Sequence, residues 1–325
     1  MKNRLKLLFK VLLKPFFRFF DTMQIINGNN HVGVGDKFGY NFKDYFYINK
    51  MEQIEHGLTL GLDSHSKEIV LRKIDIFKNI PLWDTVYSKN IRTINRDEIL
   101  YNDEELNEAK KIKKQLPKIK KSIDFKNYLC EVVYYHHGLT LLDWKALNFL
   151  SNKIFIDCGA SFGDSAVIFS KYYNPEKVIS FELTNDAKKA EQDYFKTLIS
   201  NQIDLKKIEF VPEGVSDKKY NLDGKDLKLT TIDDFVKRNN LDKIGLIKMD
   251  IEGAAKLAVL GALNTIKNYR PILVISIYHT PEEFFEIKPL IEKLDIKYKF
   301  MIKNLNPIDY FEHETILLCV PKELS

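Results

Sequence analysis

A series of short apolar runs, separated by helix-length segments, fills the second half of this chain. Between the first five runs the segments are long enough for crossover helices, which implies parallel pairing. The last two runs are only roughly ten residues apart, so we expect the final strand to run antiparallel. The pattern predicts an α/β fold with a Rossmann-like, mostly parallel sheet. The predicted strands are residues 153–158, 177–182, 208–212, 244–250, 271–278, 297–303 and 315–320.

Two of the predicted helices begin at recognisable N-cap sequences. Thr231 with Asp234, and Thr280-Pro281 with Glu283, match the capping-box pattern. The second also places proline at the first helical position, where its missing N–H costs nothing. These starts support helices after the third and fifth predicted strands.

The 325 residues suit one large domain or, more often, two. We assign residues 1–26 to a basic amphipathic helix, 27–150 to an N-terminal accessory or substrate region, and 151–325 to the domain that contains the sheet. The three cysteines are odd in number and far apart, which favours a reduced compartment over a disulfide framework or zinc ribbon. We therefore expect a cytoplasmic protein.

The charge of the chain is concentrated at its N-terminus. Residues 1–20 hold six basic residues and no acidic one, and five of the six recur every fourth residue opposite an apolar face. No apolar run there approaches the ~20 residues needed to span a bilayer. The pattern favours a helix, kinked at Pro15, lying on the anionic cytoplasmic membrane face. The alternative is a helix docked on its own domain or on a partner subunit.

The remaining chain is nearly neutral, since 44 basic residues face 45 acidic ones outside residues 1–20. A nucleic-acid surface needs a broad basic footprint, so no nucleic-acid partner is expected. Within the N-terminal region, the adjacent pair His136-His137 is not expected to share a metal, because neighbouring side chains point apart. An orientation of one of them toward the active site stays open.

The first predicted strand leads into a glycine loop and a helix in "FIDCGASFGDSAVIF", residues 155–169. This is the opening of a nucleotide-type site. A Walker loop would need Gly-Lys-Ser/Thr, and a dinucleotide loop would need a glycine where Ser161 stands. Phosphate ligands are therefore disfavoured at the loop formed by Gly159, Ala160, Ser161 and Gly163.

S-adenosylmethionine fits these residues better, because it has no phosphate, carries a cationic amino group and sulfonium, and presents a ribose diol. We predict that Asp157 binds the amino end directly or through water. Glu182 ends the second strand, where a carboxylate can accept both ribose hydroxyls. The turn with Gly214 and Val215 is predicted to lie beside adenine. Each acid alone has a plainer explanation, since acids at strand ends often only cap helices.

The ordered motifs resemble the FkbM-type methyltransferases, a class I S-adenosylmethionine-dependent family that mostly methylates sugar or polyketide hydroxyls. The resemblance covers about residues 130–320. It implies cofactor contacts for Asp157, Gly159, Gly163 and Glu182, and a functional fourth strand with Lys248, Asp250 and Glu252. The matching segments are "DCGASFG" (157–163), "FE" (181–182), "LTTIDDF" (229–235), "IKMDIEGA" (247–254) and "RPILVISIYH" (270–279).

Two positions depart from the family pattern. The motif usually continues Asp-x-Glu-Gly-Ala-Glu, but Ala255 replaces the second glutamate here, and the glutamate often found in the fifth strand is replaced by the "SIYH" ending. No role is carried over for those two acids. The Tyr-His ending resembles a subgroup found beside bacterial surface-glycan genes, which implies a glycan hydroxyl as the acceptor.

The fourth strand also indicates a site without the resemblance. Lys248 and Asp250 share one face of an apolar strand, and a buried lysine must be paired. A structural Lys–Asp or Lys–Glu pair is one reading. Because sites in these sheets open at the carboxyl ends of strands, we favour a functional role for Asp250.

Methylation of an alcohol requires a base, because the hydroxyl loses its proton as it attacks. His279 ends the fifth strand at the same edge as Asp250, so we predict His279 as general base and Asp250 as its orienter or an acceptor ligand. A divalent ion near Asp250 and Glu252 stays open. A packed structural histidine is the alternative.

The sequence thus predicts an S-adenosylmethionine-dependent O-methyltransferase that acts on a sugar hydroxyl of a bacterial surface glycan or its precursor. Two other classes stay open. One is a Rossmann-type sugar-nucleotide oxidoreductase. The other is a non-catalytic, membrane-docked adaptor with a methyltransferase fold, which Ala255 makes conceivable. The residues do not specify the acceptor sugar, the hydroxyl position or the oligomeric state.

Overall fold

The computed structural model describes residues 51–78, 102–222, 227–306 and 314–325, with a few residues between 41 and 49. The strands in chain order are β1 (Ile154–Cys158), β2 (Lys177–Phe181), β3 (Ile208–Val211), β4 (Gly214–Val215), β5 (Tyr220–Leu222), β6 (Leu227–Thr230), β7 (Ile244–Met249), β8 (Ile272–Ser276), β9 (Tyr298–Asn304) and β10 (Thr315–Pro321). The helices are α1 (Met51–Thr59), α2 (Ser64–Lys78), α3 (Asp103–Ile119), α4 (Cys130–Val133), α5 (Trp144–Leu150), α6 (Asp164–Tyr172), α7 (Ala187–Ser200), α8 (Ile232–Arg238), α9 (Ala255–Leu260), α10 (Leu263–Tyr269) and α11 (Pro281–Glu292). Three 3₁₀ turns lie at His136–Leu141, Leu205–Lys207 and Lys322–Leu324.

The main sheet has the strand order β3-β2-β1-β7-β8-β10-β9. Strands β3, β2, β1, β7 and β8 pair in parallel, whereas β10 is antiparallel to both β8 and β9. The predicted Rossmann-like sheet with an antiparallel final strand is confirmed. Strand β10 reaches its place between β8 and β9 by a short connection, which only an antiparallel return allows.

Both faces of the sheet are covered, so successive residues of one strand enter different hydrophobic clusters. In β1, Ile154 and Ile156 pack in one cluster and Phe155 in the other. Helices α6 and α7 contribute to the cluster around Phe155, and α8, α9 and α11 to the opposite one. A strand buried on both faces reads as a continuous apolar run, which is why these strands were visible in the sequence.

The two predicted helix caps are present. The side-chain oxygen of Thr231 accepts from the N–H of Asp234 at 3.0 Å, and that of Thr280 accepts from the N–H of Glu283 at 3.3 Å. The carboxylate of Glu283 does not complete a capping box; it accepts instead from the N–H of Ala255 at 3.0 Å. The start of α11 is thereby joined to the start of α9, at the edge of the sheet where the candidate site lies.

A second, three-stranded sheet in the order β4-β6-β5 was not predicted. Its strands have two to four residues, too few to produce a clear alternating pattern. Pairing of Gly214 with Leu229 and of Val215 with Thr230 holds the turn after β3 in place.

Residues 51–78 pack against the same sheet. The N–H of Ile302 in β9 donates to Ser66 Oγ at 2.9 Å, and Lys288 Nζ in α11 donates to the carbonyl oxygen of Gly57 at 3.2 Å. Part of the predicted N-terminal region therefore shares the core of the sheet. The predicted basic helix at 1–26 lies outside the described residues. Within the described part of the chain, no helix has the length and apolar character required to cross a membrane.

Candidate active site

The glycine loop after β1 has a backbone that only glycine accommodates at its first position. Gly159 has φ of 86°, and a Cβ there would lie 1.8 Å from the carbonyl oxygen of Asp250. The N–H groups of Gly159 and Ala160 both donate to the carbonyl oxygen of Phe181, at 2.9 and 3.0 Å. Gly163, with φ of 85°, packs closely against α7. The loop is therefore tied to β2 and lies against the end of β7.

A buried ion pair supports this loop from below. Lys248 Nζ lies 3.1 Å from Asp157 Oδ1 and donates to the carbonyl oxygen of Gly159 at 2.8 Å. Burial alone would lower the pKa of Lys248, but the carboxylates of Asp157, Asp250 and Asp164 raise it above its usual value. Lys248 is therefore a charged link between β7, β1 and the loop, as the structural reading of the fourth strand required.

Asp157 lies behind the candidate site. Its side chain is 0% exposed, and burial raises its pKa to about 6 against the opposing effect of Lys248. A direct contact with a cofactor amino group is not accommodated at this depth, because Lys248 and Ser180 surround the carboxylate. Its predicted role in cofactor binding, directly or through water, stays a prediction.

Glu182 stands at the end of β2 on the opposite side of the loop. Its Oε2 accepts from the N–H of Ser161 at 2.8 Å. A carboxylate has two oxygens with four acceptor sites, so Glu182 can still accept hydrogen bonds from hydroxyl groups of a ligand. This is the geometry that the ribose-diol prediction for Glu182 requires.

A cavity of about 640 Å³ opens at the carboxyl ends of β1, β2 and β7. Asp157, Ala160, Gly163 and His279 are not among the residues that line it. The predicted residues that line it are Gly159, Ser161, Glu182, Gly214, Val215, Lys248, Asp250 and Glu252. The structure thus brings most of the predicted site residues around one cavity, although their individual roles stay predictions.

His279 lies beside Asp250, but it is not among the residues that line the cavity. Its Nε2 is 3.5 Å from Asp250 Oδ1 and 3.5 Å from Glu252 Oε2, and its Nδ1 is 3.4 Å from Glu283 Oε2. Burial alone would lower the pKa of His279, but Glu283, Asp250 and Glu252 together raise it. The side chain of His279 is 9% exposed and that of Asp250 is 22% exposed. Asp250 is therefore the member of the pair that a ligand in the cavity would meet.

The carboxylate of Glu252 is not part of the cluster of carboxylates around Asp250. Its backbone has φ of 52°, its side chain is 89% exposed, and its carboxylate faces His279. The group of potential metal-ligand oxygens found among the described residues consists of Glu131, Asp250 and Glu314, all within 4.8 Å of one another. The predicted ion site at Asp250 and Glu252 stays a prediction.

Several cavity residues were not identified from the sequence. Glu131 comes from α4 and Glu314 from the segment before β10, and neither stands in a motif. His137 was left open: it lines the cavity, its Nε2 lies 3.0 Å from Ser165 Oγ, and burial lowers its pKa well below the usual value. His136 instead stacks on Tyr172. Only tertiary packing brings these residues to the cavity.

The wall of the cavity is strongly acidic. Among the described residues, Lys248 is the only lysine or arginine on it, and Lys248 is already paired with Asp157. Such a wall favours neutral or cationic groups over phosphates. The carboxylates are those of Glu131, Asp164, Glu182, Glu213, Asp250, Glu252 and Glu314.

Comparison with known proteins places a family domain on this part of the chain. Residues 157–300 match the Methyltransferase FkbM domain. The structure is similar to methyltransferase FkbM from Methylobacillus flagellatus KT, with 21% identity, a TM-score of 0.49, and coverage of 76% of this chain and 61% of that chain. This chain therefore spans less than two thirds of that relative.

Two other solved structures show weaker likeness. An O-methyltransferase from Bacillus cereus in complex with SAH is 10% identical, with a TM-score of 0.38 and coverage of 74% of this chain and 96% of that chain. An rRNA methylase from Streptococcus thermophilus is 12% identical, with a TM-score of 0.38 and coverage of 60% and 97%. No curated protein matches the chain.

Proposed function

We propose that this chain, whose residues 157–300 match the Methyltransferase FkbM domain, methylates a sugar hydroxyl of a bacterial surface glycan or its precursor with S-adenosylmethionine. The observation that carries the proposal is the single cavity that joins the glycine loop and Glu182 to Asp250. One side offers acceptors for a diol-bearing cofactor, and the other offers a carboxylate for the hydroxyl to be methylated.

The residues of the loop side fit the cofactor. Gly159 lets the chain turn without a side chain in the cavity, and Glu182 presents a carboxylate anchored by Ser161. Gly214 and Val215 line the same side and would lie beside adenine. When bound, S-adenosylmethionine supplies a methyl group activated by its sulfonium.

Asp250 is placed to receive the proton of the acceptor hydroxyl. It lines the cavity at the end of β7, where a carboxylate can accept a hydrogen bond from an entering alcohol. Holding donor and acceptor in line is the other requirement of methyl transfer, and the ends of β1, β2 and β7 would have to provide it. His279 then holds Asp250 from behind through Nε2, 3.5 Å away. In this proposal Asp250 is the general base and His279 orients it, the reverse of the roles predicted from the sequence. His279 as general base is the competing assignment.

The charge of the wall limits the acceptor. Seven carboxylates line the cavity, so a phosphate next to the reacting hydroxyl would be repelled. A neutral sugar unit within a glycan fits better than the phosphate end of a nucleotide-activated precursor. Residues 1–20 would bring the enzyme to the anionic membrane face where lipid-attached glycans are built, which extends the proposal to a peripheral location.

Incubation of the full chain with labelled S-adenosylmethionine and a panel of surface glycans tests the proposal. We expect label on a glycan hydroxyl, lost in Asp250→Asn while cofactor binding remains. Transfer to none of the glycans by a protein that binds the cofactor would contradict the acceptor class. Binding of NAD in place of S-adenosylmethionine would favour the oxidoreductase, and liposome binding without any cofactor would favour the adaptor.

A further inference from the structure

Three carboxylates from distant parts of the chain meet at the acceptor side of the cavity. Glu131 lies on α4, Asp250 follows β7 and Glu314 precedes β10. One side-chain oxygen of each lies within 4.8 Å of the others. Like charges at this spacing repel one another strongly unless a cation or a proton lies between them.

Glu131 has a carboxylate oxygen that no neighbouring group of the described residues satisfies. Its side chain is only 6% exposed, and its Oε2 is buried without a hydrogen-bond partner among the described residues. A buried carboxylate oxygen without a partner is costly. Because Glu131 also lines the cavity, the missing partner is expected to enter through the cavity.

Two cationic side chains, Lys248 and His279, lie near the group, and both are also paired with carboxylates outside it. Lys248 is paired with Asp157 and the carbonyl oxygen of Gly159, and His279 contacts Asp250 from the side away from the cavity. The hydroxyl of Tyr278 donates to Glu314 Oε1 at 3.4 Å. Of the three carboxylates, Asp250 has His279 beside it at 3.5 Å, whereas Glu131 Oε2 has no hydrogen-bond partner among the described residues.

We propose that Glu131, Asp250 and Glu314 bind one hard divalent cation, of the class of Ca²⁺, Mg²⁺ or Mn²⁺. Three carboxylates and no histidine or cysteine are the ligands that such ions prefer. Oxygens on opposite sides of Ca²⁺, each at about 2.3–2.6 Å, are about 5 Å apart, so a spacing within 4.8 Å can be bridged by one ion. Three protein ligands leave coordination positions for water or for hydroxyls of a ligand.

The site differs from the ion site expected from the sequence, because Glu131 and Glu314 replace Glu252. Binding of the ion does not depend on the reaction that the cavity performs. Its consequence does rest on the proposed function: an ion here would take two neighbouring sugar hydroxyls as ligands and orient one of them toward Asp250.

Titration of the full chain with Mn²⁺, followed by electron paramagnetic resonance without cofactor or acceptor, tests the site. We expect one Mn²⁺ per chain, displaced by excess Mg²⁺ or Ca²⁺. Glu131→Gln and Glu314→Gln should each weaken binding at least about tenfold. Glu213→Gln is the matched control, because it removes one charge from the same cavity wall outside the group and should leave the Mn²⁺ affinity within about twofold.

A second measurement, Tb³⁺ luminescence, tests the site without replacing any of the three carboxylates, in case a glutamine variant fails to fold. Tb³⁺ bound beside Glu314 should be excited through Tyr278, whose hydroxyl is 3.4 Å from Glu314 Oε1. Tyr278→Phe should then dim the emission without changing the Tb³⁺ affinity. The site is overturned if wild type binds no Mn²⁺ at millimolar concentration, or if Glu131→Gln and Glu314→Gln bind as Glu213→Gln does. Mn²⁺ binding without methyl transfer would contradict the proposed function and leave the ion site standing.

Discussion

Nε2 of His279 lies 3.5 Å from Oδ1 of Asp250, and the imidazole is held on its other side by Glu283, 3.4 Å from Nδ1. Glu283 is itself anchored, because its Oε1 accepts from the N–H of Ala255 at 3.0 Å. The ring is therefore fixed between carboxylates behind the cavity, whereas Asp250 faces the cavity. Under the proposed function, Asp250 is then the residue that meets an acceptor and His279 the residue that positions it.

We predict that Asp250→Asn lowers kcat by about 10²–10⁴-fold with cofactor affinity kept, since it removes the proton acceptor. His279→Ala should lower kcat less. His279→Gln should retain more activity than His279→Ala, because the amide of glutamine can donate to Asp250. Steady-state kinetics with the labelled cofactor and calorimetry of its binding provide the two measurements.

The competing assignment gives a different order of effects. If His279 is the general base, His279→Gln and His279→Ala should be equally inactive, because an amide cannot accept the proton. Both should then lose at least as much kcat as Asp250→Asn. That order would return the role of base to His279.

We predict that Lys248→Met destabilises the fold by about 3–5 kcal/mol at pH 8, because it leaves Asp157 buried without its partner. The folded-state pKa of Asp157 is about 6, above the usual 3.8. Its contribution to stability is therefore fully present below pH 3.8 and is lost as the pH rises through 6. The deficit of Lys248→Met should be smaller at pH 5 than at pH 8 in urea unfolding.

Lys177→Met is the matched control for this prediction. Lys177 pairs with Glu209 on β3, and both side chains are partly exposed. Such pairs contribute about 0–1 kcal/mol, so the control should unfold almost as wild type at both pH values. Equal stability of the two variants at pH 8 would show that Lys248 and Asp157 do not form a buried pair.

We predict that Gly159→Ala destabilises the fold by at least about 2 kcal/mol. The added Cβ would lie 1.8 Å from the carbonyl oxygen of Asp250, and φ of 86° is strained for alanine. Gly57→Ala in α1 is the control, since no atom lies within 4 Å of its Cβ position. Removal of a helical glycine should stabilise by up to about 1 kcal/mol. Relative to wild type, the unfolding midpoint should fall in Gly159→Ala and rise in Gly57→Ala. Equal midpoints of the two variants would contradict the loop geometry.

Much of the sheet could be predicted because its strands are buried on both faces and therefore read as uninterrupted apolar runs, as in Ile244–Met249. The sheet edge that carries Glu182 and Asp250 could be predicted for the same reason, because parallel strand ends converge there. The three-stranded sheet β4-β6-β5 could not, since its strands are too short for a periodic signal.

Side-chain direction and distant contacts account for what the sequence could not show. Tyr278 and His279 are neighbours at one strand end, yet Tyr278 lines the cavity and His279 turns to Glu283. Glu131 precedes β1 and Glu314 precedes β10, and neither stands in a motif, so only packing of α4 and β10 on the sheet brings them to Asp250.

We predict that residues 1–20, which lie outside the described part of the chain, add membrane affinity without changing the chemistry. Their six basic residues and apolar stripe should bind an anionic surface. Deletion of residues 1–20 should abolish sedimentation with anionic liposomes and leave turnover of a water-soluble acceptor intact. Neutral liposomes are the control. Equal sedimentation of both proteins would favour a helix that docks on protein.

The last prediction concerns Glu182, whose Oε2 is anchored by the N–H of Ser161 at 2.8 Å. If its carboxylate accepts the ribose hydroxyls, Glu182→Ala should weaken S-adenosylmethionine binding by about 1.5–3 kcal/mol, the range for hydrogen bonds to a charged group. Glu182→Gln should lose less, because the amide oxygen can still accept from Ser161 and from one hydroxyl. Glu209→Ala, on neighbouring β3 and paired with Lys177, should bind as wild type does. Calorimetry that shows unchanged affinity in Glu182→Ala would remove Glu182 from the cofactor site.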